Sequence, residues 1–141
     1  CFDGAVNLFT AFGYFEAEAD HLRVLEAVRT ALRPGGWFFL DFLNAPRVAA
    51  TLVPEDTRRQ GDVTIRQRRW IADDRIDKEI VLRQGGTERR FYESVRLLTR
   101  ADFEALFAAA GLDLVETFGD YDGGPYTPTS PRLILYARKP G

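Results

Sequence analysis

The sequence has no methionine, one cysteine and one histidine. A single cysteine, Cys1, excludes an internal disulfide and fits a reducing compartment, so a cytoplasmic protein is expected. The lone histidine, His21, falls in what reads as the exposed first turn of a helix. That leaves no basis for a histidine-based triad or a zinc site, and no metal is expected. No apolar run approaches the ~20 residues of a membrane span, and no basic segment leads into an apolar one as in a signal peptide. The formal net charge of −2 removes the electrostatic case for nucleic acid or an anionic membrane. Methionine is missing even at position 1, and the chain opens inside an apolar pattern. We therefore expect residue 1 not to be a natural start and the chain to be part of a longer protein.

What is present reads as one α/β unit around which the rest is placed, with an insertion of different character and no internal repeat. Phe2 to Asn7 reads as a short buried strand, followed by an aromatic loop from Phe9 to Phe15. Asp20 is the expected N-cap of a helix carrying Leu22, Leu25, Val28 and Leu32 at helical spacing. The helix is expected to end on Pro34-Gly35-Gly36. Trp37 to Phe42 then shows no alternation, as a strand buried on both faces does. Residues 45–61 read as a connector with an undecided short helix near Pro46 to Leu52. Residues 62–98 read as a three-stranded antiparallel meander, with turns at Ala72 to Arg75 and Gln84 to Thr87. Its many arginines are interleaved with acids, so a solvated face or a dimer surface is expected rather than a nucleic-acid patch. Thr99 and Asp102 form a capping-box pattern before Phe103, Leu106, Phe107 and Ala110, and Gly111 closes that helix. Leu112 to Phe118 and Leu133 to Ala137 are the last strands, antiparallel because no helix joins them. Between them runs a long polar loop, Asp120 to Arg132.

Phe2-Asp3, Asn7 to Phe15, Leu32-Arg33-Pro34-Gly35-Gly36, Phe39-Leu40-Asp41-Phe42, and the tail from Leu98 through Gly111 to Ser130-Pro131-Arg132 together resemble class I S-adenosylmethionine-dependent methyltransferases. The resemblance is to their C-terminal half. It implies a partial Rossmann-like sheet, strands four to seven of that fold with the last strand antiparallel, and with 62–98 as an inserted meander. The whole of 1–141 is then the C-terminal part of a methyltransferase domain. The glycine-rich loop after the family's first strand lies outside this chain, so the chain alone is expected to be inactive and the activity to belong to a longer parent.

The implied cofactor is S-adenosylmethionine, met by Asn7, Leu8, Phe9 and Thr10 after the first strand. Methyl transfer from a sulfonium needs alignment of nucleophile and methyl group more than a triad, and a base only if the acceptor arrives protonated. Tyr14, Asp122 and Tyr126 are the candidates for direct roles in catalysis. Phe15, Asp41, Asn44, Asp120 and Tyr121 are the candidates for binding a small-molecule acceptor. Each has a structural alternative: Asp41 and Asn44 as caps of a strand, and the 120–126 group as turn chemistry. For Arg132 a salt bridge that pins the loop is favoured over a carboxylate site. The expected partners are that acceptor and a second copy bound through the meander. A function of a different kind stands beside the enzyme: a truncated, non-catalytic methyltransferase fold acting as a dimerisation or interaction domain.

Overall fold

The structure is a computed structural model that describes every residue except 9–11 and 15–16, and all side chains of the rest except that of Glu18. The Phe9, Thr10 and Phe15 expectations lie outside the described residues.

Two four-stranded sheets make up the described chain. The first has the order β1-β2-β8-β7, with β1 Phe2–Asn7, β2 Leu32–Leu43, β7 Asp113–Phe118 and β8 Arg132–Arg138. β1 and β2 are parallel, but β1 lies at the edge of this sheet and is not the buried strand expected: Phe2 and Val6 are exposed. β8 runs antiparallel between β2 and β7, with Phe42 opposite Leu133 and Phe118 opposite Ile134. Helix α1 (Glu18–Ala31) joins the parallel pair, and α3 (Arg100–Ala110) precedes β7.

Local chemistry explains the helix ends. In α3, the Thr99 hydroxyl accepts from the Asp102 N–H and the Asp102 carboxylate accepts from the Thr99 N–H, while Gly111 closes the helix at φ 79°. That is the expected capping box and left-handed stop. In α1 the expectation fails at both ends. Ala17, not Asp20, holds the N-cap position; Asp20 lies inside the first turn and meets Arg23 at 3.3 Å. The helix stops at Ala31 and Leu32 is already extended, at φ −82°. Pro34-Gly35-Gly36 is a bulge within β2, where the register jumps from Phe2–Leu32 to Gly4–Trp37. Gly35 takes the φ of 77° that this turn requires. Its N–H donates to the Lys139 carbonyl at 2.9 Å, tying the bulge to the end of β8.

The core lies on one face of this sheet. Phe38, Leu40 and Phe42 of β2 and Leu133, Leu135 and Ala137 of β8 form one cluster with Leu25 of α1 and Phe103 and Phe107 of α3. Burial of each large side chain stabilises the fold by about 1.5–3 kcal/mol. On the other face Phe39 stacks on Tyr136 at 4.7 Å and Trp37 meets Phe39 edge-on at 5.8 Å. This aromatic face is only half-buried, and the described helices cover the opposite one. The unbroken apolar run of β2 therefore combines a core face with a stacked aromatic face, rather than two helix-covered faces.

The second sheet corrects the three-stranded expectation. It has four strands, β3 Glu55–Gln60, β4 Val63–Ala72, β5 Arg75–Gln84 and β6 Thr87–Arg96, all antiparallel and in chain order. The connector contains the helix α2 (Ala45–Thr51) as well as β3. β3 has no apolar residue, so it carries no period of its own; its pairing with β4 makes it a strand. Val95 and Ile76 anchor the meander's inner end to the main core.

Candidate active site

Asn7 ends β1 and Leu43 ends the parallel strand β2, with Arg132 of β8 opposite Leu43. Open α/β sheets place ligands outside this carboxyl edge. Two segments reach it: the chain after β1, and the loop between β7 and β8.

The segment after β1 is bolted to the meander. The Arg96 N–H donates to the Gly13 carbonyl at 2.8 Å. Arg75 donates through Nη2 to the Tyr14 carbonyl at 3.5 Å and through Nε to the Ser94 hydroxyl at 2.8 Å. Gly13 has φ 90°, and a Cβ there would sit 3.2 Å from both Phe42 and Val95. A side chain is excluded by backbone and space together. Beneath it lies His21, fully buried rather than exposed as expected, its ring 5.5 Å from that of Phe12. Burial, then the Arg75 charge, push its pKa below the ordinary 6.5, against a bond to the Gly13 backbone and the Asp20 charge. His21 is thus a neutral packing residue beneath the segment.

Asn7 Oδ1 is buried and accepts no hydrogen bond among the described residues. Leu8 beside it is exposed. Tyr14, 49% exposed, faces a hollow of about 560 Å³ lined also by Arg75, Tyr92, Glu93 and Ser94. That volume suits a small molecule. Apart from Tyr14, the residues lining the hollow were not expected to be functional. They belong to a charged sheet whose sequence pattern is that of a solvated face, and only the packing of β6 against the Gly13 turn makes a hollow of them.

The second segment is saturated. Asn44 is 1% exposed. Its Nδ2 meets the carbonyls of Thr127, Pro128 and Ser130 at 3.2, 3.1 and 2.8 Å, and its Oδ1 accepts from the Tyr126 hydroxyl at 2.7 Å. Asp41, 2% exposed, accepts from the Tyr121 hydroxyl at 2.7 Å and Arg132 Nε at 2.8 Å. Arg132 therefore takes the pinning role favoured for it. Asp120 Oδ1 accepts from the N–H groups of Asp122 and Gly124, each at 2.9 Å. The Asp122 side chain is exposed at the loop's surface. The bond to Asp41, reinforced by burial and by the Asp41 charge, raises the Tyr121 pKa, with Arg132 opposing. Burial raises that of Tyr126, against Arg100. Raised phenols stay protonated near neutrality, so both tyrosines are donors to their carboxylate or amide partners rather than bases. Beside the loop, Phe39, Phe118, Asp120, Tyr121, Gly123 and Ile134 line a smaller hollow of about 280 Å³.

The candidate residues thus fall into two groups. Asn7, Leu8 and Tyr14 stand at the open side, whereas Asp41, Asn44, Asp120, Tyr121 and Tyr126 hold the β7–β8 loop in shape. Among the described residues no cluster of three or more metal-ligating side chains forms, and no helix is long and apolar enough to cross a membrane.

Sequence comparison finds no matching protein-family model and no matching curated protein. Solved structures do match. A S-adenosylmethionine-dependent methyltransferase from Clostridium acetobutylicum superposes with a TM-score of 0.85 at 19% identity, over 99% of this chain and 59% of its own. The CcbJ methyltransferase from Streptomyces caelestis gives 0.80 at 17% identity, over 97% and 60%. A sugar N-methyltransferase from Streptoalloteichus gives 0.68 at 21% identity, over 99% and 57%. The chain therefore spans about three fifths of the length of these proteins. It has the fold of the C-terminal portion of S-adenosylmethionine-dependent methyltransferases.

Proposed function

We propose that this chain is the C-terminal part of a methyltransferase domain that moves a methyl group from S-adenosylmethionine to a small-molecule acceptor. In this reading β1, β2, β7 and β8 are strands four to seven of the fold, with residues 62–98 inserted among them. The observation that carries the reading is the buried Asn7 Oδ1, without a donor among the described residues, at the carboxyl end of the parallel pair. A buried acceptor atom without a donor costs about 1–3 kcal/mol, and the cofactor's amine groups are donors that would satisfy it. Bound there, S-adenosylmethionine supplies an electrophilic methyl group on a sulfonium whose thioether leaves readily. The chain's own part is to orient. Asn7, with Leu8, Phe9 and Thr10, holds the cofactor side, and the Gly13 turn fixes where Tyr14 stands.

The acceptor lies in the hollow between Tyr14 and β6. An amine suits it: the Arg75 guanidinium of the hollow is turned to the Tyr14 carbonyl and to the Ser94 hydroxyl and carbonyl, which leaves the Glu93 carboxylate and the Tyr14 and Tyr92 rings to meet an amine. Similar solved structures include an amino pentose methyltransferase, a sugar N-methyltransferase and a glycopeptide N-methyltransferase, which supports the same class. Tyr14 then orients the nucleophile, its hydroxyl oxygen accepting a hydrogen bond from the amine, and the amine's proton leaves to solvent water. Asp41, Asn44, Asp120, Tyr121 and Tyr126 position the β7–β8 loop, and Asp122 is left as the side chain of that loop free to reach an acceptor. A homodimer through the meander accompanies this activity. The test is Tyr14→Phe in the chain extended upstream. Turnover with an amino-sugar acceptor falls by about 100-fold with S-adenosylhomocysteine affinity unchanged; equal turnover removes Tyr14 from the chemistry.

A further inference from the structure

One face of the meander runs into the hollow beside Tyr14. Residues directly opposite in an antiparallel ladder share a face. Trp70 lies opposite Asp77, and Asp77 opposite Ser94; Arg68 lies opposite Glu79, and Glu79 opposite Tyr92. Both rows cross from β4 to β6 and end on residues that line the hollow, Ser94 and Tyr92. We propose that this patch is a second acceptor subsite, which binds a sugar ring joined to the amine-bearing part in the hollow. The acceptor is then a glycoside of two or more rings rather than a single amino sugar. This rests on the hollow as the acceptor site and extends it along the sheet.

The patch suits a ring with an apolar face and a hydroxylated rim. Alternation places Ile65, Ile80, Leu82 and Phe91 on the other face. Trp70 and Tyr92, 39% and 66% exposed, are therefore the exposed large apolar side chains of this one. Their π faces are negative and attract the C–H groups that the oxygens of a sugar ring polarise. Between them lie groups for the rim. The Asp77 carboxylate is half-buried and has no ion pair or side-chain hydrogen bond among the described residues, so it is open to accept from hydroxyl or amine groups. The Ser94 hydroxyl accepts from Arg75 Nε at 2.8 Å, which leaves its own proton to donate.

Strand spacing sets the length of the ligand. Neighbouring strands stand about 4.8 Å apart, so Trp70 on β4 lies about 10 Å from β6 at the lip of the hollow. That is room for one further ring past the amine-bearing one. Glu79 is committed elsewhere: it is buried, with Arg68 and Arg90 at 3.8 and 3.7 Å, and holds the two guanidinium groups that border the patch. Asp77 is the carboxylate left for the ligand.

Calorimetric titration of the 141-residue chain with glucosamine, and with the disaccharide of two glucosamine rings obtained from chitosan, tests this. Glucosamine fills the hollow alone, whereas the disaccharide reaches the patch. The disaccharide is expected to bind about 10-fold more tightly. Trp70→Ala and Asp77→Asn each remove that gain and leave the glucosamine affinity unchanged, while Trp70→Phe keeps most of it. In a Trp37→Phe background Trp70 is the only tryptophan, and the disaccharide, not glucosamine, shifts its emission. Circular dichroism of each variant confirms folding. Equal affinity for the two sugars, or a disaccharide gain that survives both substitutions, overturns the patch while leaving the hollow as the acceptor site. No binding of either sugar overturns both.

Discussion

The two segments that meet the carboxyl edge of the first sheet are built in opposite ways. The β7–β8 loop spends its polar groups on itself: Asn44 alone serves three carbonyls and one phenol. The described part of the segment after β1 is held from outside, by Arg75, Arg96 and the packing around Gly13, and the Asn7 oxygen before it has no partner among the described residues. A polar cluster with every bond made is a device for shape, whereas a buried atom with its bond unmade is a place for something else. The difference assigns structure to one segment and binding to the other.

The largest way to break that contrast is Asn44→Ala. It removes at once the partner of the buried Ser130 carbonyl, of the part-buried Thr127 and Pro128 carbonyls and of the Tyr126 hydroxyl, and is expected to cost on the order of 3 kcal/mol, read as a lower urea midpoint. A cost under about 0.5 kcal/mol would show that the loop is not held as described. Gly13→Ala comes next. A left-handed backbone and two contacts at 3.2 Å set a cost of about 1–3 kcal/mol, and the Tyr14 segment loses its hydrogen-exchange protection with it.

His21 sharpens the contrast through pH. Its folded pKa lies below the ordinary 6.5, so above that value it is neutral in both states and its burial costs no proton. As pH falls through 6.5 toward the folded pKa, the unfolded chain takes up the proton first and stability is lost. The urea midpoint should drop over that window, and His21→Gln should flatten this part of the profile. An unchanged profile would mean that His21 is not buried under the Gly13 turn. The smallest effect on stability belongs to Asn7→Ala. No bond among the described residues is lost, and relief of the orphaned acceptor, about 1–3 kcal/mol, is largely offset by the packing lost with the side chain, so the net change should be under about 0.5 kcal/mol, in the direction of greater stability.

The sequence made some of this legible for local reasons. The α3 capping box and Gly111 are written within a dozen residues, and they fold as written. The antiparallel return of β8 follows from the lack of a helix before it. What stayed hidden depends on distant partners. Asn44 looks like a strand cap until it meets carbonyls 83 to 86 positions away. Asp20 looks like an N-cap because the helix really begins in a stretch, Ala17 to Ala19, with no capping side chain. β3 has no apolar residue to reveal it. The alternating burial of β2 is concealed because its outer face is aromatic rather than polar. The hollow beside Tyr14 joins residues nearly 80 positions apart, and no local pattern announces it.

The central claim is that Asn7 marks a cofactor edge belonging to a larger methyltransferase domain. Calorimetric titration of S-adenosylhomocysteine into the chain extended upstream of Cys1, as the unmodified protein and as Asn7→Ala, tests it most directly. The account predicts saturable binding by the extended protein, about 10-fold weaker in the variant, and none by residues 1–141 alone. Equal affinity with and without the Asn7 side chain, or no binding by the extended protein, would contradict it.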